Sequence, residues 1–417
     1  MRILKLNPRT EGNLLKRREG EDRQAHRVAA RIVADVKRRG DEALDYWTRK
    51  LDGGDVRGKL LWITREEMAA ATKRVDAEFL RAVKHAAANI RRVAKQQRPR
   101  EWTLEVELGV RVGRIIRPIE SVGCYIPGGR FALFSTMVMT VVPAQVAGVD
   151  RVVVVCPRAN DELLAAAHLL GVKQLARIGG AQAVAALAYG TKRIERVEKI
   201  FGPGNRFVTA GKQIVSMDCA IDLPAGPTEA VVLARNGNAR WIAADLLAQA
   251  EHAPDAGSYL VTTSAQLADR VQQEIATQVG TLPAENLARI SCEKTGAILL
   301  ARTWAEGIGF VNRFAPEHLS LPESSSGLLK KLRSCGTIFA GGLSAQPFGD
   351  YASGSNHVLP TGGWARRRGG LSVNDFVKQI SVQSISAKGF ERLAPDVQIM
   401  ARAEGLLAHA NAVEVRK

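Results

Sequence analysis

A stretch near residue 250 carries two side chains that could bind a metal ion. Gln249 and His252 stand three residues apart in the sequence, and side chains at this spacing share one face of a helix. Zinc takes about four nitrogen, oxygen or sulfur ligands, and a catalytic zinc keeps a position open for the substrate. This pair can therefore supply only part of such a site, and the other ligands must come from segments far along the chain.

Three later segments contain residue types that could complete the site. They cover residues 316–319, 349–360 and 404–409. Asp350 and His409 would join His252 in a mixed nitrogen and oxygen set that suits zinc or manganese. A single histidine is more often a structural residue with its hydrogen bonds satisfied, so the prediction depends on the whole group.

Glu317 and His318 form a second kind of pair, an acid directly beside a base. Histidine accepts a proton near neutral pH, and a carboxylate can polarise a water molecule. Because adjacent Glu and His are common by chance, the pair predicts acid–base chemistry only in combination with the other segments.

The elements around these residues predict an α/β fold. From residue 112 onward, short apolar strands alternate with helices, which is typical of a parallel sheet covered by helices. The alternation opens with a strand at 112–118 and begins again at 230–234, so the sequence predicts two similar open Rossmann-like units with a cleft between them. Helical spacing of apolar residues also predicts helices at 21–51 and 65–98, and a last helix at 396–410.

Three predicted strands of the first unit end in glycine-rich turns, at residues 126–129, 178–180 and 201–205. Ligands of open α/β sheets bind at such strand ends. None of the turns has the full Gly-x-Gly-x-x-Gly spacing, so the Rossmann-like units are predicted to be incomplete. A link at 222–229, rich in Pro and Gly, joins the two units and is a predicted hinge or cleft floor.

Length and composition limit the class of protein. The chain has 417 residues, 46% of them hydrophobic and 24% charged, which is typical of a folded, soluble protein of more than one domain. Five widely spaced cysteines without a Cys-x-x-Cys pair support neither a disulfide framework nor a zinc ribbon. No apolar run is long enough for a signal peptide or a membrane span, so we expect a cytoplasmic protein without a membrane partner.

The net charge of +17 raises the alternative of a non-enzymatic nucleic-acid-binding protein. The basic residues are scattered, and aromatic residues at 5% are too few for an obvious base-stacking platform. Such a protein would lose affinity steeply as the salt concentration rises. It would leave both polar pairs described above unexplained, so we expect no nucleic-acid partner.

Taken as a set, these motifs resemble those of the histidinol dehydrogenase family. The eight matching strings keep the family's order along the chain, which makes a chance match implausible. The strings are residues 125–129, 179–182, 201–205, 224–229, 249–252, 316–319 and 350–360, and Glu404 with His409.

The resemblance implies a zinc- and NAD-dependent oxidoreductase of histidine biosynthesis. The implied reaction is the last step of that pathway, the four-electron oxidation of L-histidinol to L-histidine through bound L-histidinaldehyde. It also implies an intertwined homodimer with a shared active site and one Zn²⁺ per subunit. The alternative is a related zinc and NAD enzyme of the same family that acts on another small polar alcohol. Glu404, a carboxylate able to meet an amine, favours histidinol.

Carried over residue by residue, the resemblance assigns roles to the matched positions. The zinc ligands are Gln249, His252 and Asp350 together with His409 of the partner subunit. His318 is expected to take the hydroxyl proton, and Glu317 is expected to activate the water that hydrates the aldehyde.

Binding roles follow from the same resemblance. The zinc ligands and His318 are expected to contact the substrate, as are Thr228, His357 and Glu404. NAD contacts are expected from Tyr125, Gln182 and Asn205, which lie beside the three glycine-rich turns. Family members often have Ser where this chain has Thr228, and the hydroxyl is kept.

The sequence and the resemblance together predict four parts of the chain. The N-terminal arm and the C-terminal segment are expected to be small helical pieces involved in the intertwined dimer. The parts are an N-terminal arm (1–24), a discontinuous first α/β domain (25–120 with 228–370), a second, NAD-contacting α/β domain (121–227) and a C-terminal dimerisation segment (371–417).

Overall fold

The computed structural model describes residues 1–16, 18, 22–128, 132–223, 226–323 and 325–417. The strands are β1 (Arg2–Lys5), β2 (Trp102–Glu107), β3 (Val110–Pro118), β4 (Ser121–Tyr125), β5 (Arg151–Val155), β6 (Gln174–Ala176), β7 (Lys199–Phe201), β8 (Ala220–Ile221), β9 (Glu229–Leu233), β10 (Gly257–Thr262), β11 (Ala297–Leu300), β12 (His318–Leu321), β13 (Thr337–Ala340) and β14 (Val377–Ile385). The α-helices are α1 (Pro8–Lys16), α2 (Arg23–Arg39), α3 (Asp41–Asp52), α4 (Arg65–Ala71), α5 (Ala77–Gln97), α6 (Phe134–Ala147), α7 (Asp161–Leu169), α8 (Gly180–Tyr189), α9 (Arg206–Val215), α10 (Ala239–Ala250), α11 (Ala265–Thr281), α12 (Ala288–Lys294), α13 (Trp304–Phe314), α14 (Ser326–Leu329), α15 (Gln346–Tyr351), α16 (Ala387–Ala403) and α17 (Leu407–Glu414).

Parts of two predicted motifs lie outside the described residues. One is residue 129 of the glycine-rich turn after β4, and the other is residues 224–225 of the Pro- and Gly-rich link. Residues 17 and 19–21 of the predicted N-terminal arm lie outside as well. The hinge role of the link stays a prediction.

Two parallel sheets organise the chain, as the sequence predicted. One has six strands in the order β1-β11-β10-β9-β12-β13, and the other has five in the order β6-β5-β4-β7-β8. Apart from β1, the two strand orders are equivalent. In each sheet the first strand of the unit, β9 or β4, is central; the next two strands add to one side of it, and the last two add to the other side. The prediction of two similar, incomplete Rossmann-like units is confirmed.

Helices cover both faces of each parallel sheet, and the central strands are apolar on both faces for that reason. Every residue of β9 and β10 is buried. In the six-stranded sheet, α1 and α13 cover one face and α10, α11 and α12 cover the other. In the five-stranded sheet, α4 to α7 cover one face and α2, α3, α8 and α9 cover the other.

Helix α10 positions the first of the predicted metal ligands. The Asn238 side chain accepts hydrogen bonds from the backbone N–H groups of Arg240 and Trp241, and such a cap is worth about 1 kcal/mol. The four-residue spacing then aligns Trp241, Asp245 and Gln249 along one side of the helix. The side chains of this row lie at successive turns, from the start of the helix to its end.

A small antiparallel sheet, β14-β3-β2, corrects one prediction. The predicted strand 112–118 exists as part of β3, but the prediction that it opens a parallel sheet was wrong. β3 pairs instead with its sequence neighbour β2 and with β14, which lies far along the chain. The local sequence pattern of β3 does not predict its pairing with β14. Several apolar side chains of this sheet are exposed in the single chain, namely Trp102, Leu104, Val106, Ile380, Val382 and Ile385.

Three segments predicted as single helices are each two helices, and one of them, 65–98, divides into α4 and α5 between Ala71 and Ala77. The segment 21–51 divides into α2 and α3 at Gly40, whose φ of 55° ends the first helix. The last helix divides into α16 and α17 around Gly405, whose φ is 77°. Among the described helices, none combines the length and the apolar composition needed to cross a membrane.

The N-terminal helices pack on the five-stranded sheet. α2 to α5 contribute side chains to the two hydrophobic cores on either side of that sheet. The predicted domain boundaries instead place residues 25–120 together with residues 228–370, whose strands belong to the six-stranded sheet. β1 adds an edge strand to the six-stranded sheet through its pairing with β11. The domain boundaries themselves stay a prediction.

Candidate active site

Glu317 and His318 lie at the amino end of β12, beside the amino end of β9. The two strands pair in parallel, with His318 opposite Ala230. Both side chains are buried, with 6% of Glu317 and 3% of His318 exposed. Burying an acid and a base costs free energy unless each is paired or hydrogen-bonded, so their contacts determine what the pair can do.

A chain of hydrogen bonds fixes the Glu317 carboxylate. Its Oε2 accepts from the Thr228 hydroxyl at 2.5 Å and from the Glu229 backbone N–H at 3.1 Å. The Thr228 hydroxyl accepts from Gln249 Nε2 at 2.9 Å, and Gln249 Oε1 accepts from Gln346 Nε2 at 2.9 Å. The carboxylate is therefore held in one orientation, which is what a group that orients a water molecule requires.

The His318 imidazole keeps one nitrogen available to a ligand. Its Nδ1 lies 3.4 Å from the Glu229 backbone oxygen and 3.7 Å from Glu317 Oε2. Its Nε2 is buried 3.6 Å from Asp350 Oδ1 and has no hydrogen-bond partner among the described residues. Burial alone would lower the pKa of His318, but the carboxylates of Glu317 and Asp350 outweigh burial and raise it. A group entering beside Nε2 could therefore exchange a proton with this ring.

His357 holds the backbone at Asp350. The His357 Nδ1 lies 2.8 Å from the Asp350 backbone oxygen, and its Nε2 lies 3.1 Å from the Thr136 hydroxyl. Burial lowers the pKa of His357 and so favours its neutral form. Burial also opposes ionisation of Asp350, but the facing imidazoles of His318 and His357 outweigh it and hold the pKa of that carboxyl below its ordinary value.

Three of the four predicted metal ligands come into one region of the chain. Gln249 lies in the last turn of α10, His252 follows that helix, and the charge of His252 contributes to the lowered pKa of Asp350. Asp350 lies in α15 and is partly buried, whereas His252 is exposed. Among the residues that the structure describes, no three His, Cys, Asp or Glu side chains are arranged to hold a metal ion. The ligand assignment stays a prediction.

Two further predicted residues, one metal ligand and one substrate contact, lie on the C-terminal helices. His409 is on α17, which packs against α16, and Glu404 is the C-cap residue of α16. Both side chains are exposed. In the described part of this single chain, no hydrogen bond or ion pair joins His409 to the other predicted metal ligands.

The three predicted NAD contacts lie at the carboxyl edge of the five-stranded sheet. Tyr125 ends β4, Gln182 is in the first turn of α8, and Asn205 caps α9. The buried Tyr125 hydroxyl accepts a hydrogen bond from the Gly180 N–H at 3.0 Å. Gln182 Nε2 donates to Asp52 at 3.0 Å, and its buried Oε1 has no partner among the described residues. The role of all three in NAD binding stays a prediction.

Sequence reasoning missed three residues that contact the site. Gln346 opens α15 and bonds to Gln249, Thr136 of α6 contacts His357, and Glu229 opens β9 beside Glu317 and His318. Amide and hydroxyl side chains are too common in sequences to stand out. The one available signal was the four-residue spacing that puts Gln346 on the same side of a short helix as Asp350.

Comparison with known proteins gives a consistent result over the whole chain. A family model described as histidinol dehydrogenase matches residues 15–417. A histidinol dehydrogenase of Geobacillus kaustophilus is 44% identical over 417 residues, covering 98% of this chain and 98% of that protein. A histidinol dehydrogenase of Methanothermobacter thermautotrophicus is 42% identical over 423 residues, covering 100% and 99%. The crystal structure of histidinol dehydrogenase from Elizabethkingia anophelis matches with a TM-score of 0.93 and 37% identity, covering 100% and 98%.

Proposed function

The chain belongs to the histidinol dehydrogenase family, and from this premise we propose that it oxidises L-histidinol to L-histidine through L-histidinaldehyde that stays bound. This is the last step of histidine biosynthesis. The observation that carries the proposal is the buried Glu317–His318 pair, with its carboxylate fixed by Thr228 and its imidazole Nε2 left without a partner among the described residues. An enzyme that oxidises an alcohol and then an aldehyde needs one group for a hydroxyl proton and one for a water proton.

His318 serves the first oxidation. In its neutral form, it accepts the hydroxyl proton of histidinol as the carbon loses a hydride, and the product is the aldehyde. NAD, when bound, would accept the hydride in each of the two oxidations. The buried position of His318 keeps bulk water away from the proton that it receives.

Glu317 serves the second oxidation. It takes a proton from water as the water oxygen adds to the aldehyde carbon, and His318 returns the proton that it received in the first oxidation to the aldehyde oxygen, which forms a hydrate. The hydrate then loses the second hydride, for which NAD would be the acceptor, and gives a hydroxyl proton back to His318, so that it becomes the carboxylic acid. The hydrogen bonds from Thr228 and from the Glu229 N–H hold the Glu317 carboxylate in one orientation, in which it can accept the proton of the water.

The polar groups near Glu317 fit a divalent metal ion. The Asp350 carboxylate is partly buried, and its nearest facing imidazole nitrogen, His318 Nε2, is 3.6 Å away, beyond a good hydrogen bond. Gln249, His252 and Asp350 would supply oxygen and nitrogen ligands, a set suited to zinc. When bound, Zn²⁺ would hold the imidazole and amine of the substrate and so orient its alcohol carbon.

The fourth ligand requires a second copy of the chain. We propose a homodimer with a shared site, one Zn²⁺ per subunit, and His409 of the partner subunit as the missing ligand, with Glu404 close to the substrate amine. Exposed apolar residues on the C-terminal helices support an association of this kind, because a large apolar surface is costly in water. They include Ile399, Met400, Leu406, Leu407 and Val415.

The carboxyl edge of the five-stranded sheet fits a dinucleotide. α8 and α9 both begin at this edge, and helix amino ends favour phosphate groups. Gln182 Oε1, which has no partner within the described part of the chain, leaves an acceptor for a ligand donor. We infer that Tyr125, Gln182 and Asn205 on this edge contact NAD. We propose that residues 121–227 form the NAD-contacting domain. A cytoplasmic location stays a prediction of the sequence.

One assay tests the proposal directly. The purified full-length chain, loaded with Zn²⁺, is supplied with NAD and L-histidinol, and NADH and histidine are measured together with the metal content. We expect two NADH for each histidine formed. Loss of activity on metal removal, with recovery on adding Zn²⁺, would support the metal assignment. If histidinol is inert while another small polar alcohol is oxidised, the substrate assignment is wrong.

A further inference from the structure

The carboxyl edge of the six-stranded sheet contains a cavity that the proposed reaction does not use. The cavity has a volume of about 160 Å³ and lies where β9, β12 and β13 end. Ligands of open parallel sheets bind outside the carboxyl ends of the strands, at the point where the strand order reverses. In this sheet the order reverses between β9 and β12, so the cavity stands at that point. The catalytic pair lies at the opposite, amino end of the same two strands.

The cavity differs in chemistry from the equivalent crevice of the five-stranded sheet. That crevice has the glycine-rich turns proposed to contact NAD, whereas no basic side chain is among the described residues that line the cavity. Phosphate ligands are therefore disfavoured here. The volume is also well below the roughly 300 Å³ at which pockets for drug-sized ligands begin, so the occupant must be small.

Asp245 gives the cavity its charge. It is the one charged residue among the described residues that line the cavity, and it has no hydrogen-bond or ion-pair partner in the described part of the chain. Burial raises the pKa of Asp245 to about 6. The chain has a net charge of +17, yet no lysine or arginine of the described chain pairs with this carboxylate. A cationic ligand would remove the cost of leaving it unpaired.

Trp241 forms one side of the same cavity. It precedes Asp245 by one turn of α10, its side chain is 50% exposed, and its ring lies against Gly342, 3.3 Å from where a Cβ would stand. The face of an indole attracts cations and packs well against flat or apolar groups. Ser320 and Ser344 also line the cavity.

We propose that this cavity, called here the α10 cavity, binds a small organic ammonium ion. The ammonium group pairs with the Asp245 carboxylate, and the hydrocarbon part packs against the Trp241 indole. The site does not depend on the proposed oxidation of histidinol. Because Asp245 and Gln249 lie on successive turns of α10, about 6 Å apart along the helix, a test must separate this cavity from the catalytic site.

The test titrates benzylamine into the full-length protein by calorimetry, at a pH above 7 where the amine is protonated and Asp245 is ionised. Benzylamine supplies one ammonium and one ring, and benzyl alcohol is its neutral counterpart. We expect Asp245→Asn to weaken benzylamine binding by roughly tenfold or more, since it removes a charge-assisted hydrogen bond. Trp241→Ala should weaken it independently. Asp269→Asn, a change at an exposed acid of α11, is the matched control and should leave it unchanged.

The catalytic variant His318→Asn distinguishes the two sites. Binding that survives His318→Asn and falls in both Asp245→Asn and Trp241→Ala supports the α10 cavity. Binding that is unchanged in both cavity variants, or lost only in His318→Asn, overturns the proposal, as does an absence of binding or equal affinity for benzyl alcohol. Activity of the unchanged protein on histidinol is measured separately, so failure of the proposed reaction and failure of this proposal are distinguishable.

Discussion

Thr228 is the residue on which the geometry of the Glu317 carboxylate depends. Its hydroxyl donates to Glu317 and accepts from Gln249. Thr228→Val keeps the shape and removes the hydroxyl, so both neighbours lose a partner inside the protein. An unpaired buried polar group costs about 1–3 kcal/mol, and we expect kcat for histidinol to fall by about ten- to a hundredfold. Steady-state kinetics with NAD measure this.

Thr228→Ser is the matched control for that variant, because it keeps the hydroxyl and removes only a methyl group. We expect kcat within about threefold of the original enzyme, a difference of about 0.6 kcal/mol. Full activity in the Val variant together with a loss in the Ser variant would show that the methyl group, and not the hydrogen bonds, matters at this position.

Substitutions of His318 and Glu317 should slow different steps of the reaction. His318→Asn removes the proton acceptor for the alcohol, and general base catalysis usually contributes a factor of 10² to 10⁴. We therefore expect oxidation of histidinol to slow by roughly a hundredfold or more. The exposed His168 of α7 offers the control His168→Asn, which should retain full activity. Normal turnover in the His318 variant would refute its role as the base.

Glu317→Gln is best assayed from the aldehyde. The amide cannot take a proton from water, so hydration of histidinaldehyde should slow by roughly a hundredfold. A single turnover from histidinol should still release the first NADH. Unimpaired conversion of added histidinaldehyde to histidine by this variant would rule out the water-activating role.

At the residue scale, sequence reasoning found the reactive types but not their supports. Glu317, His318 and Asp350 stand out because acids and imidazoles carry chemistry that few other side chains share. Gln346 and Thr136 do not stand out, since their importance comes only from what they touch. Those contacts join segments about a hundred or more residues apart, a distance over which a single sequence gives no pairing information.

At the scale of secondary-structure elements, a buried ion pair stabilises the turn after β7. Lys212 of α9 pairs with Asp222, and both are almost fully buried. Lys212 Nζ also donates to the Gly202 backbone oxygen at 2.9 Å, and Asp222 Oδ2 accepts from the Gly202 N–H at 2.7 Å. Gly202 has a φ of 110° and packs so closely on Tyr125 that a Cβ would clash with its backbone oxygen. The pair thus fixes a turn proposed to contact NAD.

Lys212→Met should therefore lower stability and NAD affinity together. The variant leaves the Asp222 carboxylate buried without its cation, and breaking such a pair costs about 3–5 kcal/mol. We expect a lower free energy of unfolding by about that amount in urea denaturation, and a higher KM for NAD in the enzyme that remains folded. Lys192→Met, at an exposed lysine of the same unit, is the control and should change neither quantity.

An unchanged KM for NAD in a destabilised Lys212 variant would separate the pair from the cofactor. The ion pair would then stabilise the five-stranded sheet without shaping the turn. Unchanged stability would mean that the buried Asp222 carboxylate finds another partner when Lys212 is replaced, and the ion pair would then not be needed for folding.

For the secondary-structure elements, the sequence predicts the features that follow from a local pattern, such as the alternation of strands and helices. Continuous apolar strands between helices indicate two parallel sheets, and the structure confirms both. The pattern of β3 indicates a strand but not its sheet, since β14 lies beyond both parallel units. The helix break at Gly40 could have been predicted, because glycine costs about 1 kcal/mol inside a helix and favours its end.

At the scale of the whole molecule, the central question is which chain supplies His409, the proposed fourth metal ligand. α17 packs against α16 and presents His409 to solvent. The apolar residues exposed on these helices and on the small antiparallel sheet form two surfaces that a second copy could cover. A site shared between subunits therefore agrees with the surface of the single chain and with the incomplete ligand set around Asp350.

Heterodimers of two inactive variants test the shared site. His252→Asn and His409→Asn should each abolish metal-dependent activity in a homodimer, because every site then lacks one ligand. In a heterodimer of one chain of each kind, a shared arrangement leaves one site with both histidines intact and the other site with neither. We expect such heterodimers, co-expressed with two different tags and purified through both, to show about half the activity of the unchanged dimer, since one of two symmetric sites is restored.

The opposite arrangement gives a different result in the same experiment. If each chain supplied its own His409, both sites of the heterodimer would lack one histidine, and activity would stay absent. A chain truncated after Glu404 gives an independent measure, because it keeps Gln249, His252 and Asp350 but loses α17. When co-purified with a His252→Asn chain, the truncated chain should also regain activity, since the partner then supplies His409. Absence of activity in both heterodimers, with dimer formation verified by sedimentation, would place the fourth ligand outside the partner subunit.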